Sequence, residues 1–511
     1  MKKNMCWCLA LWMVLCMLPT FASGETRETI TLTVTGARNP LTNAWQDTLM
    51  VPQLEERFGI KLDCQEFSQE DWKVQKGLLF ASGDLPDLFL SADFSLGEAA
   101  DYGAQGFLLP LNDMITDTTY THALFGKNAG AKSVMTSPDG NIYTLISGSA
   151  IPANMVNRNW INEAWTERLG MKVPETLEEL TAVLEAFKAQ DANGNGNPDD
   201  EIPASGRVLD EIVLSALGFP TRSYAGVTLF VGEDGKPAMI AMDPRFETYL
   251  TYMRDSYVAG LLDNATFVQT NEEFQAKVAE GRIGLYASPA PWLYESAETA
   301  WDYRFFGGLT SAVNDKKIIG ATNGMDSRGV TAITTSNPYP ERTFEMLDWF
   351  YSDEGSTFGF INEEGVGWKW ENEAEGDWSR VIPSDWTDSD EAYRCGVLGI
   401  VGGFNIYRDA NWKLFKPTGN NIWLYDQFTE YAVPYFTQVF PTLPLLDEEQ
   451  YEASTLLTDL NSYVNDAVVR FIVGEEELAT GYATFHQTLQ NMGAERYVEI
   501  YTAAYERYLG K

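Results

Sequence analysis

The chain has 511 residues, more than one hydrophobic core normally serves, so two domains are expected. Hydrophobic residues make up 45% and aromatic residues 13% of it, which favours a packed globular protein over a disordered one. The formal net charge of −37 predicts a surface that repels nucleic acid and anionic lipid, and it excludes both as expected partners.

Residues 1–24 are predicted to be a signal peptide. A short basic start precedes the apolar run Met5–Leu18, and Ala22–Gly24 supplies small residues for cleavage. The apolar run is short for a membrane span, which needs about 20 such residues. We therefore expect an exported protein that is extracellular, at the cell surface or periplasmic. Only Cys64 and Cys395 lie outside this segment, and their spacing does not support a disulfide.

The first part of the mature chain alternates strand and helix patterns. The predicted strands and helices are, in chain order, strand Thr29–Val34, helix Trp45–Phe58, strand Gly59–Phe67, helix Trp72–Ala81 and strand Asp87–Leu90. This alternation predicts an α/β fold with a parallel sheet, on which ligands bind beyond the carboxyl ends of the strands. Trp45, Ser91 and Asp93 are therefore expected near a cleft, although core burial explains Trp45 equally well.

The middle of the chain continues with a strand at Ile142–Ile146, a crossover out of the first domain at Gly148–Pro152 and a helix at Trp160–Leu169. Thr176–Glu179 reads as a capping box that starts another helix. The apolar side chains of that helix fall on one face and are Leu177, Leu180, Val183, Leu184 and Phe187.

An acidic loop follows that helix directly and reads D-A-N-G-N-G-N-P-D-D-E from Asp191 to Glu201. Its first nine residues fit the register of an EF-hand calcium loop, but position twelve is Ile202, so another carboxylate must close the site. A metal-free turn rich in Asn, Asp and Gly is the alternative. The predicted structural calcium ligands are Asp191, Asn193, Asn195, Asn197, Asp199, Asp200 and Glu201.

The rest of the chain adds further strands and, at its end, helices. The predicted elements are helix Phe274–Glu280, strand Gly281–Ala287, loop Ser288–Trp292, strand Gly329–Thr334, helix Arg342–Tyr351 and helices Ser454–Val473, Leu478–Met492 and Glu495–Leu509.

By its motifs the chain resembles bacterial extracellular solute-binding proteins of family 1, the sugar-binding receptors of ABC importers. It is most similar to their large, calcium-loop-bearing branch, with a maltose-binding-protein-like fold. The matching segments are Leu85–Leu90, Gly106–Leu111, Asp139–Tyr143, Asn159–Trp160, Leu169–Thr176, the acidic loop with Ile202-Pro203, Glu364–Trp368, Phe471–Glu475 and Met492–Tyr508.

The resemblance implies a two-lobed periplasmic-binding-protein-like fold of type II, with a ligand cleft between the lobes and a helical C-terminal extension. By this analogy the first lobe comprises residues 25–150 and 300–355, and the second comprises 151–299 and 356–511. The implied function is capture of an uncharged sugar or oligosaccharide by a monomer and its delivery to the permease subunits of an ABC importer.

The resemblance also places ligand contacts. Trp292 matches a stacking aromatic of maltose-binding-type relatives, and Ser91 and Asp93 stand where these relatives have polar contacts. Because Ser91 replaces an aromatic of the relatives, stacking there is expected from Trp45 or Trp368. Arg158, Asn159 and Asn323 are candidate partners for sugar hydroxyls, although salt bridging or turn capping explains these three equally well.

Other function classes remain open at this point. A binding protein for a peptide or another small solute is one alternative, and a secreted glycoside-active enzyme is another, since some pair of the 73 acidic residues will meet the spacing such enzymes need. Only His122 and His486 are present, and no H-E-x-x-H, G-x-S-x-G or Walker A motif occurs. What the family resemblance implies is a receptor and not an enzyme.

Overall fold

The computed structural model describes residues 28–222, 226–296, 298–387, 390–400, 402–409, 414 and 420–509. The predicted signal peptide, 1–24, lies outside these ranges. The strands are β1 Ile30–Arg38, β2 Ile60–Ser68, β3 Leu88–Phe89, β4 Leu145–Ser149, β5 Asn159–Asn162, β6 Ile202–Ala204, β7 Leu229–Val231, β8 Pro237–Met239, β9 Ile283–Ala287, β10 Tyr303–Phe305, β11 Ile319–Ala321, β12 Met325–Ile333, β13 Trp368–Asn372, β14 Asp377–Arg380, β15 Tyr407–Arg408 and β16 Phe436–Gln438.

The helices complete the list of regular elements. They are α1 Met50–Phe58, α2 Gln69–Ser82, α3 Leu96–Ala104, α4 Tyr120–Lys127, α5 Ala129–Met135, α6 Glu163–Arg168, α7 Leu177–Ala189, α8 Val208–Ala216, α9 Arg245–Val258, α10 Asn271–Ala279, α11 Pro340–Trp349, α12 Asp353–Ile361, α13 Asp390–Tyr393, α14 Asn420–Tyr431, α15 Asp447–Val473, α16 Leu478–Asn491 and α17 Ala494–Tyr508. Among the described residues, none of these helices is both long and apolar enough to cross a membrane.

The first lobe is built on a six-stranded sheet in the order β15-β4-β12-β3-β1-β2. Strand β1 runs parallel to β2 and β3, whereas β12 is antiparallel to β3 and β4. Leu32 and Val34 of β1 are buried with side chains of α1 and α11 in one hydrophobic core. Helix α1 ends where Gly59 adopts the left-handed conformation (φ 62°), which costs glycine little.

The second lobe has a four-stranded sheet in the order β10-β5-β9-β6 and a separate, larger core. That core joins α7, α8 and α9 to the long C-terminal helices α15, α16 and α17. All five apolar side chains predicted for one face of α7 are buried in it, which confirms that pattern. Thr176 caps α7 by accepting a hydrogen bond from the amide of Glu179. The Glu179 carboxylate accepts a hydrogen bond from the amide of Glu175 (2.8 Å) and not from that of Thr176. The predicted capping box is therefore not formed.

The structure also differs from the sequence predictions at a strand and at the lobe boundaries. Asn159–Asn162 is a strand and not the start of a helix, because it is buried between β9 and β10 and pairs with both. The predicted lobe boundaries also shift. Strand β10 belongs to the second sheet, although residues 300–355 were assigned to the first lobe, and β15 belongs to the first sheet, although residues 356–511 were assigned to the second.

Within the described residues, the chain passes between the lobes at three places that lie side by side. Strand β4 ends at Ser149, β12 begins at Met325 and β15 ends at Arg408, and these strands are neighbours in the first sheet. Gly148 pairs with both Met325 and Tyr407, so the three crossings leave the sheet at the same end. The Ser149 amide donates to the carbonyl of Gly324 (2.6 Å), which ties two of the crossings together.

Candidate functional site

A cavity of about 1020 Å³ lies where the two lobes meet. Most of its wall belongs to the first lobe, including Ser91, Asp93 and Ser149. Arg222 and Thr442 line its other side, and each is close in sequence to residues of the second core, Phe219 and Leu443. Asn154 lines the cavity from the crossing between the lobes. The cavity therefore lies beyond the carboxyl ends of β3 and β4, the end of such sheets at which ligands usually bind.

Ser91 and Asp93 follow β3 and hold a strained backbone. Their φ angles are 48° and 51°, in the left-handed region that non-glycine residues seldom adopt. Such conformations cost on the order of 1–3 kcal/mol each and are found most often at functional sites. The Ser91 amide donates to the carbonyl of Gly403 (3.2 Å), and Arg328 donates to the carbonyl (2.7 Å) and the carboxylate of Asp93. These contacts hold both residues at the cavity wall.

Arginine side chains contribute strongly to this wall, and the sequence analysis missed them. The arginines that line the cavity are Arg222, Arg328, Arg394 and Arg408. Two of the guanidinium groups lie over the ring of Phe360, which also lines the cavity: Arg394 at 4.8 Å and Arg408 at 4.4 Å from the ring centroid. Arg394 also donates to the carbonyl of Phe360 (2.9 Å). The result is a cation–aromatic cluster, which a partly desolvated site strengthens.

Behind Arg222 lies a buried carboxylate, Glu211, which is 8% exposed. Asn157 donates its side-chain amide both to Glu211 and to the carbonyl of Arg222 (2.7 Å). Burial raises the pKa of Glu211 to about 7, and hydrogen bonds from Asn157 and Asn159 together with the charge of Arg222 oppose that rise. Asn159 is thus buried beside Glu211 and does not lie at a rim where sugar hydroxyls would meet it.

Trp292 lies in a cluster of tryptophans on the second lobe. Its ring centroid is 5.5 Å from that of Trp301 and 5.9 Å from that of Trp423, and Trp423 stacks on buried Trp160 at 5.5 Å. Trp301 is 43% exposed, so part of the cluster faces solvent. In the described part of the chain, Trp292 is not among the residues that line the cavity.

Arg158 connects this cluster to the cavity. Its guanidinium donates to the carbonyl of Pro289 (2.6 Å), in the loop that carries Trp292, and to the side-chain oxygen of Asn154 (3.3 Å) at the cavity wall. We read Arg158 as a residue that positions the Trp292 loop. Asn323 instead stabilises the crossing that leads into β12, because its side-chain oxygen accepts a hydrogen bond from the amide of Met325 (3.0 Å).

The expectation that Trp45 or Trp368 supplies a stacking face does not hold in this structure. Trp45 is 0% exposed and packs in the first-lobe core, and Trp368 is 1% exposed in a smaller core. The Trp368 indole donates to the carbonyl of Asn362 (3.2 Å). Both rings have packed neighbours where a sugar would have to lie.

The acidic loop is tightly coiled by its own side chains. Asp191 accepts a hydrogen bond from the amide of Gly196 (2.9 Å), Asn193 from Asn195 (2.9 Å) and Asn195 from Asn197 (2.7 Å). Asn197 accepts a longer bond from the amide of Asp199 (3.4 Å). Gly196 has φ 90°, so the coil requires glycine at that position.

Two carboxylate oxygens in this loop are buried and lack a hydrogen-bond partner among the described residues, Asp191 Oδ1 and Glu201 Oε2. Asp200 instead accepts from the side-chain amides of Asn193 (3.1 Å) and Asn195 (2.9 Å). No group of three or more His, Cys, Asp or Glu in the described residues is arranged to hold a metal. A cation here would therefore need amide and backbone oxygens as well, a mixed set that suits Ca²⁺, and the two orphaned oxygens fit it.

Neither Cys64 nor Cys395 forms a disulfide within the described ranges. Burial raises the pKa of Cys64 to about 12, with the charges of Glu66 and Asp63 adding to the effect. This thiol is therefore held in its unreactive form.

Comparison with known proteins adds an independent observation. Residues 45–357 match the family model described as bacterial extracellular solute-binding protein. The fructooligosaccharide ABC transporter substrate-binding protein FusA of Streptococcus pneumoniae serotype 4 is 25% identical over 483 residues, which cover 90% of this chain and 87% of FusA.

Solved structures show the same fold. FusA in complex with kestose superposes with a TM-score of 0.74 at 24% identity and covers 94% of this chain and 100% of its own. A FusA EF-hand mutant in complex with fructo-nystose gives 0.72 at 23% identity, with the same coverage. An HMO-binding solute-binding protein from Bifidobacterium longum infantis gives 0.75 at 17% identity, covering 94% and 99%.

These superpositions confirm the predicted two-lobed α/β fold of type II. The matched residues cover more than half of the sequence and include the walls of the cavity from Gln69 to Arg328. The chain belongs to the family of bacterial extracellular solute-binding proteins.

Proposed function

We propose that the protein captures an oligosaccharide between its two lobes and hands it unchanged to the permease of an ABC importer. The observation that carries the proposal is the cavity of about 1020 Å³ at the meeting of the lobes. Sites for small molecules usually measure about 300–1,000 Å³, so this one has room for more than a single sugar ring. The relationship to FusA, a fructooligosaccharide-binding protein, supports the same substrate class.

The tryptophan cluster around Trp292 is the proposed stacking surface. Sugars present apolar C–H faces, which pack on flat aromatic rings, and a rim of hydroxyls, which needs polar partners. Trp292 and Trp301 supply the rings, and Asn154, Ser91 and Asp93 supply polar groups at the cavity wall. Closure of the lobes would bring the two surfaces onto one ligand, and the ligand would then stabilise the closed form.

We further propose that the acidic loop binds a structural Ca²⁺ through Asp191, Asn193, Asn195, Glu201 and neighbouring oxygens. The orphaned buried oxygens of Asp191 and Glu201 support this assignment. The EF-hand mutant of FusA supports it as well, because a relative of this chain then has a loop of the same type. When bound, the ion would neutralise the converging carboxylates and fix the loop at the end of α7.

The remaining features of the proposed function follow from the family. An exported monomer that meets its permease outside the cytoplasm is the arrangement we infer, and the predicted signal peptide, 1–24, is consistent with it. We do not assign a catalytic reaction, because a glycoside-active enzyme needs a pair of free carboxyl groups, and of the two that line the cavity in the described residues, Asp93 and Asp326, Asp93 is bound by Arg328. A carboxylate held in that way is poorly placed to act as a general acid or a nucleophile.

Calorimetry with neutral and acidic oligosaccharides, followed by chromatography of the recovered sugar, tests this function. We expect saturable binding of at least one oligosaccharide with recovery of the intact sugar, and Trp292→Ala to weaken binding tenfold or more. Trp378→Ala is a matched control on a smaller core away from the cluster. Recovery of cleaved products would contradict the proposed receptor and indicate an enzyme. Preferential binding of peptides would support the other solute class.

A second measurement addresses closure. Small-angle scattering with and without a saturating ligand should show a smaller radius of gyration for the complex, because the ligand contacts both lobes only when they close. An unchanged radius at saturation would contradict the closing mechanism.

A further inference from the structure

A second, smaller cavity lies beside the main one. It has a volume of about 280 Å³ and shares Gln69, Trp72, Asp93 and Arg328 with the wall of the larger cavity. These shared residues place the two cavities next to each other. A chain-like ligand in the larger cavity would therefore reach the smaller one, which we call the side cavity, past Asp93 and Arg328.

The side cavity belongs to the first lobe. Its described lining comes from α2, from the loop that follows β3, from α3 and from β12. Arg222 and Thr442, which line the larger cavity from the second lobe, do not line the side cavity in the described part of the chain. The side cavity therefore keeps its wall when the lobes move apart, and a group bound in it needs no closure.

The floor of the side cavity is buried and held rigidly. Lys76 is only 3% exposed, and its ammonium group donates to the carbonyl of Asp93 (2.9 Å) and pairs with Glu98 (3.0 Å). The Glu98 carboxylate in turn accepts a hydrogen bond from the amide of Ser95 (2.8 Å). Burial lowers the pKa of Lys76, and the hydrogen bond with Glu98 opposes that change. Groups that bind one another in this way fix the shape of the cavity before a ligand arrives.

The rim of the side cavity is open to a ligand. Gln69 and Lys73, which are four residues apart and so lie on one face of α2, are exposed. The side chains of Asp93 and Arg328 are 56% and 48% exposed and pair with each other. The rim thus offers an amide, an ammonium group, a carboxylate and a guanidinium group. Because a sugar hydroxyl both donates and accepts hydrogen bonds, such a mixed rim suits a ring that carries hydroxyls.

Size and charge narrow what the side cavity can hold. Sites for small molecules start at about 300 Å³, so this one has room for a single sugar ring and not for a chain. Lys76 is paired with Glu98, and Arg328 is paired with Asp93, so these four charges compensate one another without a charged ligand. An uncharged ring therefore fits the side cavity.

We propose that the side cavity is a subsite for one uncharged monosaccharide unit at the end of the oligosaccharide, held by Gln69 and Lys73. This inference rests on the proposed function and deepens it, since it sets how the ligand lies in the first lobe. The affinity should rise sharply when the chain becomes long enough to place a unit in the side cavity. That unit would anchor the ligand on the first lobe before the lobes close.

Calorimetry with ladders of oligosaccharides, from the disaccharide upward, tests the subsite. The neutral ladders are fructo-, malto-, manno-, xylo- and arabino-oligosaccharides, and oligogalacturonates form an acidic ladder. We expect a neutral ladder to bind. Within it, one added unit should raise the affinity about tenfold or more, because that unit gains hydrogen bonds to a charged group. The units added before and after it should each contribute less.

Variants then assign that step to the side cavity. Lys73 lines the side cavity and, among the described residues, not the larger one. Lys73→Ala should therefore remove the gain at that unit and leave the affinity for the chain one unit shorter unchanged. Gln69→Ala should also reduce the gain, and it keeps the test valid if the first variant fails to fold. Lys61→Ala is the matched control, since Lys61 is exposed on β2 and lines neither cavity in the described ranges.

The outcomes are distinguishable once circular dichroism shows that each variant is folded. Loss of the gain at one chain length, with the shorter chain unaffected, supports the inference. An even rise of affinity with length, equal losses at both lengths, or a full gain in the Lys73 variant overturns the inference and leaves the oligosaccharide receptor standing. Binding of the oligogalacturonates alone contradicts the uncharged unit and also leaves the receptor standing. Binding of no ladder overturns the proposed function and this inference together.

Discussion

Glu211 gives the sharpest prediction on stability. The carboxyl is 8% exposed, and its pKa of about 7 in the folded protein compares with an ordinary value of 4.5. That difference corresponds to about 3 kcal/mol. Because burial disfavours the charged form, the folded protein must hold a proton that the unfolded chain has already released.

The sign follows from proton uptake. Below pH 4.5 the carboxyl is protonated in both states, so Glu211 does not alter the pH dependence of stability there. Between pH 4.5 and 7 the folded state binds more protons than the unfolded state, so stability falls as pH rises. Above about pH 7 the full loss of about 3 kcal/mol is present.

Urea denaturation of the wild type, Glu211→Gln and Glu185→Gln from about pH 4.5 to 8.5 measures this effect. Glutamine keeps an oxygen that can accept the hydrogen bond from Asn157 and cannot ionise. We expect Glu211→Gln to gain up to about 3 kcal/mol relative to the wild type across this range. Glu185 is exposed on α7, so its variant should follow the wild type. A difference between Glu211→Gln and the wild type that does not change with pH would refute the reasoning.

Three further predictions concern the crossing, the acidic loop and the thiol. Gly324→Ala should destabilise the protein more than Gly140→Ala in thermal melts. Both glycines have positive φ, but a Cβ at Gly324 would lie 2.4 Å from the carbonyl oxygen of Ser149, whereas Gly140 has open space. A chelator should lower the melting temperature of calcium-loaded wild type and not that of Asp191→Ala, because an ion at 100 times its Kd contributes about 2.7 kcal/mol. An unchanged wild-type melt would remove the calcium proposal. Cys64 should react with a thiol reagent at pH 8 only after unfolding, since its pKa is raised to about 12; prompt reaction of the native protein at Cys64 would contradict that burial.

Features of the fold that depend on local pattern could be predicted from the sequence. The buried face of α7 follows from spacing within one helix, and Ser91 and Asp93 lie beyond β3 as the strand pattern indicated. The prediction of a helix at Trp160–Leu169 was wrong at its start. There, pairing with β9 and β10, more than a hundred residues away, outweighs the local preference for a helix. Lobe boundaries failed for the same reason.

The candidate site was predictable only in part. Each cavity arginine is ordinary in its own stretch of sequence, and only the folded chain brings residues as distant as Arg222 and Arg408 to one wall. The sequence alone could not distinguish Trp292, which is partly exposed, from Trp45, which is buried in the core of the first lobe. The acidic loop was recognisable because its ligands lie within one short segment.

The place of β15 in the first sheet has a consequence for how the chain matures. Tyr407 and Arg408 form the edge strand of a sheet whose first strand begins at Ile30. The first lobe therefore lacks this edge strand until most of the polypeptide has been synthesised. Pairing over such a separation slows folding. Fragments that stop before residue 400 should therefore leave β4 as an uncovered edge strand and be prone to aggregate there.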